Sequence, residues 1–368
     1  MMSITVYNVK QGDSFLIHNE NCLSNVPPLL VDTGCKKYNI HKKLPTSLKE
    51  IAVLITHSHR DHMGGLMDLL VNSAVNVTEV FIPWYLPEIL HINKILKKDF
   101  ATYKNLSISP LNNIKLSFLG EGDNVFTTGC DNFKVINPPK STELVYTWFM
   151  DETFSNDNDL GLVVSRLNSL GFEINIQEIV DYLPEFAPEN AQEVYREQAK
   201  SFVIKFFTSM SSFLTGATKK NILSMVRNHL KLLSNHTSIV FNYKCFLEEN
   251  GWLFTGDADI SAFERIIAGQ YQNYLKASVL KVPHHGSSCN LNSSILNYID
   301  PVYAVISHDN FKSNITDPHP NANVLNILNN HGVKVFYTND VKKPNYLSYF
   351  NTIHSNYNST FTSLFDFS

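Results

Sequence analysis

The sequence predicts an α/β fold: two sheets facing each other beneath outer helices, with a helical insertion between the two strand-rich parts. Three observations predict it. Short β-branched runs fill the first part of the chain, and helical periodicity takes over from about residue 160 to 233. Strand-like runs then return with helix-like segments among them.

In the first part, "SITVYNV", "SFLIH", "PLLVDTG", "IAVLITH" and "TEVFIPW" each run for the length of a strand and end near Gly, Asp, His or Pro. Between the last two, Met63, Leu66, Leu69 and Leu70 recur at helical spacing, so the reading there is strand, loop, helix. The middle carries "PENAQEVYREQAKSFVIKFF" and "KKNILSMVRNHLKLL" behind an acidic, proline-marked lead-in, "DYLPEFAPEN". We read 160–233 as an insertion within a single domain spanning 1–368. After it come the strand-like runs "SIVFNYKCF", "GWLFTGDAD", "SVLKVPHHGS", "PVYAVISHD" and "VKVFYTND". The helix-like "ISAFERIIAGQ" and "PNANVLNILNNHG" lie among them. This order makes an αββα sandwich with a helical insertion.

A chain of 368 residues, 43% of them apolar, has enough material for a large core. Only 17% are charged and the net charge is -4, so there is no global pull toward nucleic acid or an anionic membrane. A phosphate-bearing substrate would have to be drawn in locally, by metal. The five cysteines, Cys22, Cys35, Cys130, Cys245 and Cys289, are widely spaced and form no CxxC pair. That argues against a disulfide framework or a thiolate zinc site and points to a reducing cytoplasm. "MMSITVYNVKQGD" lacks the charged and apolar regions of a secretory signal. "SFVIKFFTSMSSFLTGA" is interrupted by Lys205 and hydroxyls, short of the roughly 18 apolar residues that span a bilayer. The expectation is a cytoplasmic protein with no membrane span.

The chemistry concentrates in "ITHSHRDHMGGL", where His57, His59, Asp61 and His62 crowd the exit of a strand. Alternate residues of an extended backbone point the same way. His57, His59 and Asp61 therefore converge while His62 turns to a neighbouring point, which makes two adjacent metal positions. Imidazole and carboxylate suit zinc, manganese or iron. Isolated histidines such as His18, His91 or His354 are more often core or surface residues. Four ligand-type residues in six positions reverse that expectation. One loop does not complete two shells, so later donors are required. "LFTGDAD" puts Asp257 just beyond an apolar strand, where a carboxylate can bridge two ions, and "LKVPHHGS" puts His284 and His285 just beyond another. Each alone reads as ordinary turn chemistry. Their agreement in position and order is what counts.

In this order "HSHRDH", "TGDAD" and "PHHGS" resemble the metallo-β-lactamase fold superfamily, whose signature is HxHxDH. More narrowly they resemble the hydrolase domain of ComEC-type competence proteins and its soluble relatives. "VYNVKQGDSFLI", "LLVDTG", "NHTSIVF" and "ITDPHPN" support the narrower likeness. It covers most of residues 1–140 and 233–345 and leaves out the helical middle. The resemblance implies a metallo-β-lactamase-like sandwich with His57 and His59 on one ion, Asp61 and His62 on the other, and Asp257 between them. His284 or His285 would close the second site; His284, the first residue free of the strand, is preferred as the ligand, leaving His285 to orient or contact substrate. Asp32 would lie beneath the cluster and hydrogen-bond a ligand imidazole; a simple Asx-type turn is the alternative. Two positions depart from the family pattern. In Asn235, His236, Thr237, Ser238, His236 either restores a third histidine on the first ion or fills a variable position. The family's His-Pro-His is here Asp317, Pro318, His319, which leaves His319 as proton donor or phosphate contact and Asp317 as a helper.

Two divalent ions, zinc or manganese, would activate a water for hydrolysis without a protein nucleophile. His319 or His285 would serve as general acid, so His319, His285 and Asp61 are the catalytic candidates. Ser287, Ser288, Asn235 and His236 would contact substrate. The family association points to a phosphodiesterase or nuclease acting on a phosphodiester, a nucleic acid or a nucleotide. The lysine pairs at Lys36, Lys42, Lys97 and Lys219 are scattered and read as solvated surface rather than a nucleic-acid stripe. A lactone, thioester or amide hydrolase of the same superfamily is the alternative. A third reading is a non-catalytic metal site whose helical insertion binds a protein partner or self-associates through its amphipathic faces. The insertion could equally pack on the protein's own strands or wall a pocket.

Overall fold

Branched and aromatic side chains alternate along the strands, and the alternation sorts them onto two faces. In the computed structural model the described residues are 2–19, 26–96, 114–127, 131–146, 160–180, 192–210, 214, 216, 218–245, 251–309, 318–339 and 359–360. Cys22, Lys97, Cys130, the lead-in 181–190, Asp317 and His354 lie outside them.

The chain divides into two compact units. The first comprises Met1–Pro83, Asn113–Pro138 and Asn235–Ser368. Its first sheet is built from β1 (Met2–Val6), β2 (Phe15–Asn19), β3 (Leu29–Val31), β4 (Glu50–Leu54), β5 (Asn76–Pro83) and β6 (Lys115–Leu119). The second is built from β7 (Asn124–Thr127), β8 (Asp131–Asn137), β9 (Val240–Cys245), β10 (Gly251–Phe254), β11 (Val279–Lys281), β12 (Tyr303–Ile306) and β13 (Lys334–Tyr337). A short β14 (Ser359–Thr360) completes the first sheet, whose order is β14-β1-β2-β3-β4-β5-β6; the second runs β13-β12-β11-β10-β9-β8-β7.

Both sheets are mixed. β3 to β6 and β10 to β13 pair in parallel, and the remaining neighbours are antiparallel. Parallel neighbours need a crossover. Helices Leu66–Asn72, Ile260–Ala268, Ser293–Ile299 and Ala322–Asn330 supply those between β4 and β5 and along β10 to β13. Asp259, Asn292 and Asn321 cap the last three, each accepting a hydrogen bond from a backbone N–H of the first turn.

One core fills the space between the sheets. Ile4, Phe15, Leu29 and Leu54 come from the first, and Val135, Phe241, Trp252, Phe254 and Val305 from the second. Phe254 stacks on Phe241 with centroids 4.8 Å apart and takes the edge of Phe15 at 5.5 Å, tying the two layers together. The intervening residues of the second sheet, Val240, Leu253, Leu280, Ala304 and Ile306, pack outward against Phe263, Ile295 and Leu325 of its helices. Strands covered on both faces read as continuous apolar runs, which is why "GWLF" and "SVLKV" stand out in the sequence. β6, β7 and β8 escaped the sequence reading. β6 is half-exposed along most of its length and β7 is an edge strand, so neither shows a sustained apolar pattern.

The second unit comprises Trp84–Asn112 and Pro139–Ser234. It holds the helices Leu160–Ser169, Ile176–Val180, Gln192–Ser209 and most of Lys219–His236, and also takes in Leu86–Ile95 and Thr142–Tyr146. Phe202, Val203, Phe206, Ile222, Val226, Leu230 and Leu233 are fully buried at helical spacing, and Tyr85 stacks on Phe202. Among the described residues no helix is long and apolar enough to cross a membrane.

Candidate metal centre

Polar loops at the carboxyl ends of β3, β4, β10 and β11 converge, the place where open sheets with parallel strands offer their sites. β4 runs out through Ile55 and Thr56 into His57, His59 and a single helical turn, Arg60–Met63. His57 and His62 are fully buried and His59 is 8% exposed. Their rings crowd together, with centroids 4.1 Å apart for His57 and His62 and 4.5 Å for His57 and His59.

Asp257 follows β10 and reaches into this group. Its Oδ1 lies 3.1 Å from His62 Nε2 and its Oδ2 3.5 Å from His57 Nε2 and 3.7 Å from His284 Nε2. His285 Nε2 lies 3.5 Å from Asp61 Oδ2. The pair after β11 thus divides its work. His284 faces the Asp257 carboxylate beside His57, and His285 joins Asp61 and His62, the position for which the sequence reading preferred His284. The reason is local: both residues adopt left-handed backbone conformations, φ 45° and 54°, followed by Gly286 at 82°. Such non-glycine conformations are strained and persist where the surroundings enforce them.

Those surroundings are specific. His285 Nδ1 lies 2.8 Å from Ser307 O, and His284 Nδ1 lies 3.1 Å from Asn290 Oδ1. The Asn290 amide also donates to Asp257 O and Ala258 O at 2.9 and 3.0 Å, so one side chain positions both the Asp257 loop and the histidine. Asp32 sits beneath the cluster in a left-handed conformation. Its Oδ1 accepts from Thr56 N at 2.7 Å, and its Oδ2 accepts from Thr56 Oγ1 at 2.8 Å and faces His62 Nδ1 at 2.7 Å. A carboxylate on Nδ1 fixes the tautomer that leaves Nε2 free to coordinate. Asp32→Ala is therefore expected to weaken divalent-ion binding roughly 10- to 100-fold, read by metal titration of the chelator-treated protein.

Other predicted residues fall around this group. His319 is half-buried, its ring 4.9 Å from that of His284 and 6.3 Å from that of His285. Asp61, His284 and His319 keep some exposure, so they form the open side. Ser287 is buried and its Oγ accepts from Cys289 N, whereas Ser288 is half-buried. Asn235 is buried with no hydrogen-bond partner for its Oδ1 among the described residues. His236 is buried with its Nδ1 2.7 Å from Asp259 Oδ1, and it belongs to none of the three potential ligand sets among the described residues. Those sets are His57, His62 and Asp257; Asp61, His62 and His285; and Asp13, Asp32 and His62. The sequence reading missed Asp13, Lys281 and Asn290. A charged residue closing an apolar strand, as in "VLKV", is the signal that could have found Lys281.

The donor chemistry fits divalent ions. The Nε2 atoms of His57, His59, His62 and His285 and Oδ1 of Asp257 are buried with no hydrogen-bond partner among the described residues. Orphaned buried polar atoms aimed at one another call for a shared ligand. Burial, with help from His62, holds His57 well below the usual imidazole range, and burial brings His59 down to about 4. Both are neutral donors. Burial opposes a charge on His62 too, but the Asp257 and Asp32 carboxylates outweigh it and hold its pKa well above the ordinary value. Burial is likewise outweighed at His285, where Asp61 and Asp257 raise the pKa. Protons there sit where cations would serve the same carboxylates.

No family model matches the chain. ComE operon protein 3 of Bacillus subtilis (strain 168) is 32% identical over 106 residues, 28% of this chain and 12% of that protein. Hydroxyacylglutathione hydrolase of Buchnera aphidicola subsp. Schizaphis graminum is 31% identical over 98 residues, 27% of this chain and 36% of that enzyme. The chain therefore matches well under half the length of either relative. Among solved structures, the metallo-β-lactamase fold protein YhfI from Bacillus subtilis aligns over 92% of this chain and 96% of its own, with a TM-score of 0.40 and 10% identity. With its two mixed sheets packed on a common core, and an HxHxDH loop leaving the end of β4 to meet Asp257 from the other sheet, this chain has the metallo-β-lactamase fold.

Proposed function

We propose that this chain is a metal-dependent hydrolase with a two-ion centre, zinc or manganese, and that its substrate is a phosphodiester. The observation that carries the reading is Asp257, a buried carboxylate with imidazole nitrogens of His57, His62 and His284 arrayed 3.1–3.7 Å around it. His57, His59 and Asp257 would hold one ion, and Asp61, His62, His285 and Asp257 the other. Such ions, when bound, would supply a water of lowered pKa and offset charge on the phosphoryl oxygens.

The protein's own groups do the rest. Asp32 keeps His62 in its coordinating tautomer. Asn290 holds the Asp257 loop and His284 in register. His319, on the open side next to His284, delivers a proton to the departing oxygen, a task that suits an imidazole near neutral pH. Ser288, the less buried of the two serines, offers its hydroxyl to the substrate.

Support for the phosphodiester comes from the likeness to ComEC-type hydrolase domains. The similarity to hydroxyacylglutathione hydrolase favours a second reading, a thioester hydrolase. The purified chain, loaded with manganese or zinc, is to be assayed on bis(p-nitrophenyl) phosphate and on S-lactoylglutathione. The expected result is phosphodiester cleavage that chelation abolishes and either metal restores. Thioester turnover without phosphodiester cleavage would replace the first reading with the second.

A further inference from the structure

Beneath the candidate centre lies an ion pair that the proposed chemistry does not use. Lys281 closes β11 and Asp13 sits in the loop between β1 and β2, and each is 1% exposed. The Lys281 ammonium pairs with Asp13 Oδ2. It also donates to Gly256 O at 2.7 Å and lies 4.0 Å from Asp257 Oδ1. Asp13 in turn stands 3.7 Å from Nδ1 of both His62 and His285. Burying a lysine is costly even when it is paired, and an apolar residue would complete β11 more cheaply. The charge therefore needs a reason beyond packing.

The surroundings supply one. Asp13, Asp32 and His62 bring ligand atoms close enough to hold an ion on the Nδ1 side of His62, away from Asp257. An ion drawn to that side would compete with the arrangement in which both ions share Asp257. Asp13 Oδ2, Gly256 O and Asp257 Oδ1 are hard oxygen donors of the kind that bind cations, and the Lys281 ammonium lies among them.

We propose that Lys281 is a built-in third cation of this centre: its ammonium fills the place that Asp13 would otherwise offer to an ion and confines divalent ions to the Nε2 side of His62 and His285. It is a positioning residue, acting through Asp13 and Asp257. The inference rests on the metal-centre reading above.

The test is titration of metal-free protein with Mn²⁺ alone, read by electron paramagnetic resonance, beside thermal melting. In Asp13→Asn the ammonium is left uncompensated next to Asp257, and Mn²⁺ should bind at least about tenfold more weakly. Adding Lys281→Met to Asp13→Asn should restore the affinity to within about threefold. Lys281→Ala opens a space lined by the three oxygens and should take up one equivalent more than wild type.

A pair that only supports the fold behaves differently. It would let Asp13→Asn lower the melting temperature while leaving Mn²⁺ affinity unchanged, and that result overturns the proposal. So does a folded Lys281→Ala protein of unchanged stoichiometry; should that variant not fold, the Asp13→Asn comparison decides alone. If wild type binds no Mn²⁺, the metal-centre reading itself has failed. If wild type binds it and the variants do not shift, only the role of Lys281 has.

Discussion

Asp257→Asn is expected to bind no more than one divalent ion per chain and to lose at least about three orders of magnitude in kcat/KM, equivalent to roughly 4 kcal/mol of transition-state stabilisation. In the proposed centre Asp257 is the group common to both halves: Oδ1 faces His62 and Oδ2 faces His57 and His284. An amide keeps the shape but presents one oxygen where the carboxylate presents two, and it carries no charge to offset two divalent ions. Burial opposes ionisation of this carboxyl, yet His62, His284 and His57 hold its pKa well below the usual range. It is therefore a full negative charge at any working pH, and its loss is felt across that whole range. The fold should survive, because the backbone of Asp257 is held independently by Ser238 Oγ and by the Asn290 amide. Metal analysis of the purified variant, its circular dichroism and its activity on the substrate that wild type turns over check the expectation together. Two ions retained with near-normal activity would remove Asp257 from the bridging role.

The HxHxDH loop was legible in the sequence because its four donors are neighbours in the chain, and a strand exit is enough to make them converge. Asp257 and the 284/285 pair were legible for a related reason. Each ends a strand buried on both faces, and such strands announce themselves as apolar runs. The division of labour within the pair was not legible. Taking the first residue free of the strand as the one that faces Asp61 assumes ordinary extended backbone, whereas His284 and His285 are both left-handed and redirect their side chains. Lys281, Asp13 and Asn290 stayed hidden because the role of each exists only through tertiary contacts, with Asp13 for Lys281 and with the Asp257 loop for Asn290, that no local pattern announces. The sequence reading placed the helical part at 160–233; the second compact unit also takes in Leu86–Ile95, which follows directly on β5 and is grouped with the helices by tertiary clustering.

The stabilisation that metal confers should grow as pH rises from 6 to 8. In the metal-free protein the pKa of His62 is held well above its ordinary 6.5, with Asp257 and Asp32 outweighing burial, and that of His285 is raised as well. A group whose pKa is higher folded than unfolded adds stability fully below the unfolded value, and this is lost as pH climbs through the folded one. The metal-free form is thus helped by protons at the acid end of the window. Ions need both imidazoles neutral, so each binding event at these residues releases a proton, and the affinity rises about tenfold per unit increase in pH for each proton displaced. His57 and His59 do not add to this slope, since burial keeps both below the ordinary value and His59 down to about 4. Asp61 and Asp257 lie below the window as well. Burial is outweighed by His285 and His62 at Asp61 and by His62 and His284 at Asp257, so their contribution disappears only in more acid solution. At saturating metal a tenfold change in affinity is about 1.4 kcal/mol, a shift of roughly 2 °C in melting temperature for a chain of 368 residues. Melting curves with and without Mn²⁺ at pH 6, 7 and 8 measure it directly. An increment that is flat across these three values would show that His62 and His285 give up no proton to the metal, and would place the ions elsewhere.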